Sequence, residues 1–319
     1  MMQRKQASIL ILALWVLFFL AALTVAAAGH VWAVLQAADR LQSRVLARME
    51  AASVAAWAVA VLEEQIHPDY STNIWDGVCA DAWNRNARLF HLPREGLVVR
   101  PVEQTVYFTM PDEQEYYTGI VGESGRLHLN LHNPELLKQL FLYVGGEAGR
   151  QVAQNLFEGA GGGGAGLTSG GNDSYDRPVF RSVEDLRMIE GVDADLYARL
   201  APHLTVYGRA DVINVNSATR AVLVAYFVST GDTEMVRNAE ELADQIITAR
   251  KERGFLSRAD FKTRMPDIKR GTWARGPMGV ASTAFRGVAV GGEELPGAGM
   301  EIEFVWDTVA GQFVLWREK

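Results

Sequence analysis

The chain has 319 residues, of which 49% are hydrophobic, and a formal net charge of −7 at pH 7. This length allows one long anchor segment and two compact regions. The acidic balance argues against a surface built to bind nucleic acid, and a single cysteine, Cys79, excludes an intramolecular disulfide.

The N-terminal segment is uncharged over an unusual length. Every residue from Gln6 to Ala38 lacks a formal charge, and the run follows cations at Arg4 and Lys5. A secretory signal peptide has an apolar core of roughly 7–15 residues, whereas a membrane-spanning helix needs about 20. The stretch Ser8–Ala28 therefore predicts a membrane span.

The same helix is predicted to continue beyond the membrane surface. The first proline is Pro68, and Gly29 is the only glycine before Gly77. Apolar residues keep recurring at helical spacing after Gly29. We therefore expect one helix that runs to about Gln65.

Three arginines, Arg40, Arg44 and Arg48, lie four residues apart and hence on one face of this helix. The stripe fits two interpretations: a face in contact with solvent or lipid headgroups, or a docking surface for an acidic neighbouring helix. Charge does not fix the membrane orientation, because Arg4 and Lys5 favour a cytoplasmic N-terminus and the three later arginines favour the reverse.

Residues 97–131 are predicted to form strands, since β-branched and aromatic residues dominate and Gly122–Gly125 marks a turn. Over Arg126–Leu131 polar residues alternate with leucines, as in a half-buried strand. His128 and His132 would then lie about 13 Å apart at ~3.3 Å per residue, too far to share one metal ion. Both are predicted to be surface histidines.

The pattern from Pro134 to about Met265 is mainly helical, and strands are predicted again from Ser282 to the C-terminus. Strands on both sides of a helical block indicate an insertion into a sheet domain. Helix starts are expected at side chains that can accept hydrogen bonds from the first backbone N–H groups. These are Asn133, Ser182 with Asp185 three residues on, Asp193, Asn216 and Ser257.

A glycine tract, Glu158–Asp176, interrupts the helical block. A phosphate-binding loop would need a Gly-Lys-Ser/Thr ending that opens a helix, and none follows here. The tract is therefore predicted to be a linker or surface loop.

The segment Leu186–Leu200 resembles a helix-hairpin-helix, whose Gly-hydrophobic-Gly turn presents backbone N–H groups to a phosphate. Asp193 stands in place of the second glycine, and a carboxylate there satisfies those groups and repels phosphate. We predict a structural hairpin, with DNA binding by a membrane-anchored protein as the alternative function. Neither G-x-S-x-G nor H-E-x-x-H occurs, so the sequence does not predict an enzyme.

Several stretches follow one another as in a known family. They are the basic leader with its long apolar helix, GESGRLHLNL, the hairpin FRSVEDLRMIEGVDADLYARLAPHLTVYG, INVNSATRAVL, ADQIITARKERGFLSRADF and the closing FVLWRE. In these the chain resembles the type II secretion system minor pseudopilin K family, also called general secretion pathway protein K. The resemblance covers most of the chain and is most specific from Phe180 to Phe261.

The resemblance implies an α+β fold, with a type IV pilin-like long N-terminal helix and an antiparallel sheet. A large inserted α-helical domain contains helix-hairpin-helix-like hairpins. The implied boundaries are 1–7 for a leader peptide, 8–66 for the transmembrane and amphipathic helix, 67–133 with 277–319 for the pilin-like core, and 134–276 for the inserted domain, whose Gly-rich loop covers 159–176.

The resemblance further implies a non-enzymatic minor pseudopilin at the pseudopilus tip, which helps to initiate or cap filament assembly for protein export. The implied partners are minor pseudopilins I and J, the major pseudopilin, the prepilin peptidase and the bacterial inner membrane, and not nucleic acid. The chain would cross that membrane once, with its C-terminal domain in the periplasm.

The family also suggests roles for individual residues. The peptidase would cut between Ala7 and Ser8, where glycine usually precedes the cut. Leu12 then takes the fifth mature position, at which most pilins carry glutamate and the K family does not. The membrane and assembly helix presents Leu12, Trp15, Phe18 and Phe19.

Some members of the family bind calcium in the helical domain. Asn172, Asp173 and Asp176 are the residues here that offer oxygen ligands in a loop. No other cofactor is expected.

Overall fold

The computed structural model describes residues 3–65, 106–109, 116–118, 120–131, 133–158, 179–268, 277–292 and 299–319. Its α-helices are α1 (Gln3–Gln65), α2 (Pro134–Glu158), α3 (Ala194–Leu200), α4 (Arg220–Ser229), α5 (Thr233–Arg237), α6 (Ala239–Glu252) and α7 (Arg258–Arg264). Short 3₁₀ helices occupy Glu123–Gly125, Val183–Met188 and Ala201–His203.

The strands are short in the first half and long near the C-terminus. They are β1 (Val106–Thr109), β2 (Tyr116–Thr118), β3 (Val121–Gly122), β4 (Leu127–His128), β5 (Leu204–Thr205), β6 (Ile213–Asn214), β7 (Met278–Gly279), β8 (Ala284–Gly291), β9 (Met300–Asp307) and β10 (Gln312–Glu318). The strands that the sequence predicts between Ser282 and the C-terminus are therefore confirmed as β8, β9 and β10.

The described residues after α1, 106–319 with their gaps, are called the head, and they contain one large antiparallel sheet. Its strand order is β10-β9-β8-β1-β2, and β3 pairs with the same edge of β8 as β1 does. The longest pairing joins β8 to β9, from Ala284 opposite Asp307 to Gly291 opposite Met300. The predicted antiparallel sheet is confirmed.

The C-terminal part of α1 packs on this sheet. The predicted continuation of the helix to Gln65 is confirmed, since no proline or helix-ending glycine interrupts it. Its buried side chains recur at helical spacing and contact apolar residues of the sheet. The cluster comprises Val54, Ala55, Ala58, Val59 and Leu62 of α1 with Ile120, Phe285, Ala289 and Phe304.

A second apolar core lies within the helical region. Helix α4 is at its centre, because every residue from Ala221 to Phe227 is buried. Helices α2 and α6 pack against α4. A helix that is apolar on all sides needs such cover from its neighbours.

Two short parallel ladders join the helical region to the sheet region. Strand β4 pairs with β5, and β6 pairs with β7. Two segments of the backbone approach each other closely beside these ladders. A Cβ added at Gly125 would lie 2.1 Å from the Ser217 carbonyl oxygen. Only glycine fits at that contact.

Most predicted helix starts are confirmed. The side chain of Asn133 accepts hydrogen bonds from the backbone N–H groups of Glu135 and Leu136, at 3.1 and 3.3 Å. Ser257 accepts from Asp260 N at 3.0 Å. The predicted pair Ser182 and Asp185 also acts at a helix start, since Asp185, the third residue of the 3₁₀ helix Val183–Met188, accepts from Ser182 N at 3.0 Å.

The predicted cap at Asn216 is wrong. Helix α4 begins after Thr219, whose hydroxyl accepts from Val222 N at 3.3 Å. The amide of Asn216 is used instead in a tertiary contact with Phe255.

The predicted half-buried strand Arg126–Leu131 is also wrong. Only Leu127 and His128 pair with another strand, and a turn follows at once. His128 is buried rather than on the surface, and its Nδ1 accepts from Asn130 N at 3.0 Å. Burial lowers the pKa of this imidazole. His132 lies outside the described residues.

Candidate assembly surface

The N-terminal half of α1 is apolar and uncovered. Leu12, Trp15, Phe18 and Phe19 are each about two-thirds exposed. The hydroxyl of Thr24 donates to the Leu20 carbonyl at 2.7 Å, so this polar side chain is satisfied inside the helix. A helix that is apolar all round and bonded internally suits lipid or a bundle of similar helices.

The exposed apolar surface is longer than a membrane is thick. Among the described residues, α1 is the helix long and apolar enough to span a bilayer, with a mean hydropathy of 2.3 in its most apolar window. Large apolar side chains stay exposed from Leu12 to Leu46, a distance of roughly 50 Å at about 1.5 Å per residue. The hydrocarbon core is about 30 Å thick. A bilayer spanned by this helix would therefore leave part of the surface outside its hydrocarbon core.

The helix meets the head at Ala47. A Cβ added at Gly291 would lie 2.1 Å from the Ala47 carbonyl oxygen, so strand β8 touches the helix backbone there. The carboxylate of Glu50 accepts from Gly292 N at 2.8 Å. The next residue, Arg48, pairs with Glu318 of β10 at 2.8 Å.

The three predicted arginines thus divide into two kinds. Arg48 is held by the sheet of its own chain, whereas Arg40 and Arg44 are exposed on the free part of α1. Neither Arg40 nor Arg44 has a carboxylate partner among the residues that the structure describes.

A network of ion pairs and hydrogen bonds connects the sheet with the helical region of the head. Arg286 on β8 bonds to Glu123 and to Glu303 on β9. Glu303 also lies 3.1 Å from Lys319 Nζ. Thr205 of the helical region donates its hydroxyl to Glu123 at 2.5 Å. The network therefore joins both regions of the head.

The carboxylates of this network are ionised at neutral pH. Burial alone would raise the pKa of Glu123, but the guanidinium of Arg286 outweighs it and holds that pKa below its ordinary value. The same balance lowers the pKa of Glu303. Carboxylates that are ionised and bonded to cations do not donate protons at neutral pH, and their arrangement serves to hold elements together.

The segment Asn214–Ala218 forms a second cluster of buried polar contacts. Asn216 Nδ2 donates to the Phe255 carbonyl at 2.9 Å, and its Oδ1 accepts from Phe255 N at 2.7 Å. Asn214 Nδ2 donates to Ser282 Oγ at 2.9 Å, next to the sheet. Buried Arg250 donates to the carbonyl of Ala218 at 2.6 Å. These side chains fix the chain between the two regions, which explains the asparagines of the NVN stretch.

The hairpin Leu186–Leu200 has the predicted structural cap. The carboxylate of Asp193 accepts from Leu196 N at 2.8 Å, so it occupies a donor that a phosphate would need. The first arm is a 3₁₀ helix rather than an α-helix. The guanidinium of Arg187 lies 4.1 Å above the Tyr197 ring, where the hairpin folds on itself.

The remaining predicted site residues are not brought together by the described structure. Ala7 and Ser8 lie within α1, and their role in cleavage stays a prediction. The calcium candidates Asn172, Asp173 and Asp176 lie outside the described residues. Within the described part of the chain, no three His, Cys, Asp or Glu side chains gather closely enough to hold a metal ion.

No protein-family model matches the sequence, and no curated protein is detectably similar to it in sequence. Among solved structures, the chain is similar to one from the crystal structure of the GspK–GspI–GspJ complex of the enterotoxigenic Escherichia coli type 2 secretion system. The TM-score is 0.54 and the sequence identity 15%, over 89% of this chain and 98% of that chain. This likeness confirms the pilin-like α+β fold and, at the level of the fold, the resemblance to the minor pseudopilin K family. It does not favour the DNA-binding alternative.

Proposed function

We propose that this chain is a minor pseudopilin of a type II secretion system, a non-enzymatic subunit at the tip of the pseudopilus. The observation that carries the proposal is the long apolar surface of α1, which is exposed from Leu12 to Leu46. The same helix continues to Gln65, where it packs on the sheet of a pilin-like head. A subunit that moves from membrane to filament needs such a surface, because lipid and neighbouring helices can cover it in turn.

The partners follow from the same proposal. The solved structure that shares the fold comes from a complex with GspI and GspJ. We therefore propose that this chain assembles with the corresponding minor pseudopilins and with the major pseudopilin. Its single span would lie in the inner membrane with the head in the periplasm.

The apolar residue at Leu12 supports a place at the tip. A carboxylate within a membrane costs several kcal/mol unless it is paired. Leu12 avoids this cost and needs no partner from a subunit above it, as expected for the last subunit of a filament. The leader 1–7 would be removed, leaving 8–66 as the mature N-terminal helix.

The remaining boundaries belong to the proposal as well. Residues 67–133 and 277–319 would form the pilin-like core, and 134–276 the inserted helical domain. The two parallel ladders are consistent with this division. Strands β4 and β7 lie in the two core segments, and they pair with β5 and β6 of the inserted domain.

Co-expression of the full chain with a prepilin peptidase and the I and J homologues tests the function. We expect N-terminal sequencing to start at Ser8 and both homologues to co-purify with the chain. Deletion of Ser8–Ala28 should abolish membrane association and entry into pseudopili. A chain that stays uncut and purifies alone would refute the proposal.

A further inference from the structure

The face of α1 that packs on the sheet continues beyond the head. In a helix, residues seven apart lie within about 20° of each other. Ala47 and Ala51 are buried against the sheet, as are Val54 and Ala58 one heptad later. Arg40 and Arg44 occupy the same two positions one heptad earlier. No residue of the described sheet covers this part of the face, because β8 ends at Gly291 beside Ala47.

The exposed part of this face is apolar as well as basic. Ala33 and Ala37 precede the two arginines by one further heptad and are exposed. At the edge of this face, Val34 and Leu41 are each more than half exposed. Surface of this composition is suited to a helix that packs closely through small residues and carries carboxylates opposite the arginines.

Lipid headgroups do not reach the arginines when the membrane span begins at Ser8, the proposed mature N-terminus. A core of about 30 Å then ends near Ala28, and the headgroup layer adds roughly 6 Å. Arg40 lies about 18 Å beyond Ala28 at ~1.5 Å per residue. The headgroups therefore leave this segment, with its exposed apolar residues, open to a protein partner.

We propose that Arg40 and Arg44, with Ala33, Ala37 and Leu41, form a docking surface for an acidic, largely apolar helix of a neighbouring subunit. The inference rests on the proposed function and adds which face of α1 is used and what charge the partner carries. Two observations support this occupant: the face continues an interface already present in the chain, and its charge calls for carboxylates. Arg48, which the chain pairs with its own Glu318, is outside the docking surface.

Site-specific photo-cross-linking in the full-length chain tests the proposal. A photoreactive amino acid at position 37 is introduced into cells that co-express the I and J homologues and the major pseudopilin. We expect a cross-link to a pseudopilin subunit. R40E/R44E should reduce its yield about tenfold or more, because like charges would then face each other across the contact. R48E is the matched control and should leave the yield within about twofold, since an exposed pair contributes little.

The outcomes separate the docking surface from the proposed function. If the I and J homologues co-purify but the cross-link is absent, or is unchanged in R40E/R44E, the docking surface is wrong and the function stands. If the cross-link forms with lipid, or R40E/R44E leaves the membrane fraction, the arginines bind headgroups and the inference is also overturned. If neither co-purification nor cross-link is seen, both fail.

Discussion

Replacing Glu123 with glutamine is expected to destabilise the head by about 3 kcal/mol. The carboxylate is fully buried, bonds to Arg286 and accepts the Thr205 hydroxyl. Glutamine keeps the size of the side chain but removes its charge, which leaves Arg286 with Glu303 as its remaining carboxylate. Removing one partner of a buried pair costs about 3–5 kcal/mol, and the retained partner places E123Q at the lower end.

Urea unfolding of the full-length chain in mild detergent, followed by tryptophan fluorescence, measures this cost. The matched control is E184Q, because Glu184 also pairs with an arginine, Arg317, at 2.5 Å, but both side chains are more than two-fifths exposed. An exposed pair contributes at most about 1 kcal/mol. At a slope of about 1–3 kcal/mol per molar urea, E123Q should lower the midpoint by 1 M or more. Equal midpoints for E123Q and E184Q would refute the reasoning.

The stability difference between wild type and E123Q should depend on pH. The folded pKa of Glu123 lies below its ordinary value of 4.5, so the carboxylate contributes its stability above pH 4.5 and loses it as the pH falls through the folded value. The gap between wild type and E123Q should therefore narrow below pH 4.5. A gap of constant size from pH 7 down to pH 3 would contradict this assignment.

Two further substitutions test the other contacts of the head. N216A should lower the free energy of unfolding in urea by about 2–4 kcal/mol, because the buried N–H and C=O of Phe255 each lose their hydrogen-bond partner. A decrease below about 0.5 kcal/mol, which is usual for a surface substitution, would contradict this prediction. G291A should cost about 1–3 kcal/mol, since its Cβ would lie 2.1 Å from the Ala47 carbonyl oxygen. G299A, with no atom within 4 Å of its Cβ, is the control. Hydrogen exchange in the second half of α1 should speed up in G291A alone, and equal exchange in the two variants would show that the contact does not hold the helix.

Local signals in the sequence predicted the elements whose causes are local. The helix α1 follows from an uninterrupted apolar pattern. The caps at Asn133, Asp193 and Ser257 were predictable because each side chain accepts a hydrogen bond from a backbone N–H only two or three residues later. The exposed apolar residues of the candidate site, such as Trp15, were likewise predictable, because no part of the head that the structure describes covers them.

Features that depend on distant partners were not predictable. Asn216 has the composition of a cap, but its amide binds Phe255, which lies 39 residues away. Glu123 and Arg286 are separated by 163 residues, and nothing in the sequence around either residue indicates that they form a pair. His128 follows the alternation of a half-buried strand, yet the ladder is only two residues long and the helical region buries the imidazole. Tertiary contacts decided each of these positions.

The absence of a joint within α1 has a mechanical consequence. The helix runs from Gln3 to Gln65 without a proline, and its second half is fastened to the sheet through Ala47 and the carboxylate of Glu50. Gly29 is the one weak position along the free part, by about 1 kcal/mol relative to alanine. A pull or push applied at the N-terminal end of α1 would therefore reach the sheet without loss in a hinge, so that displacement of this end moves the sheet with it.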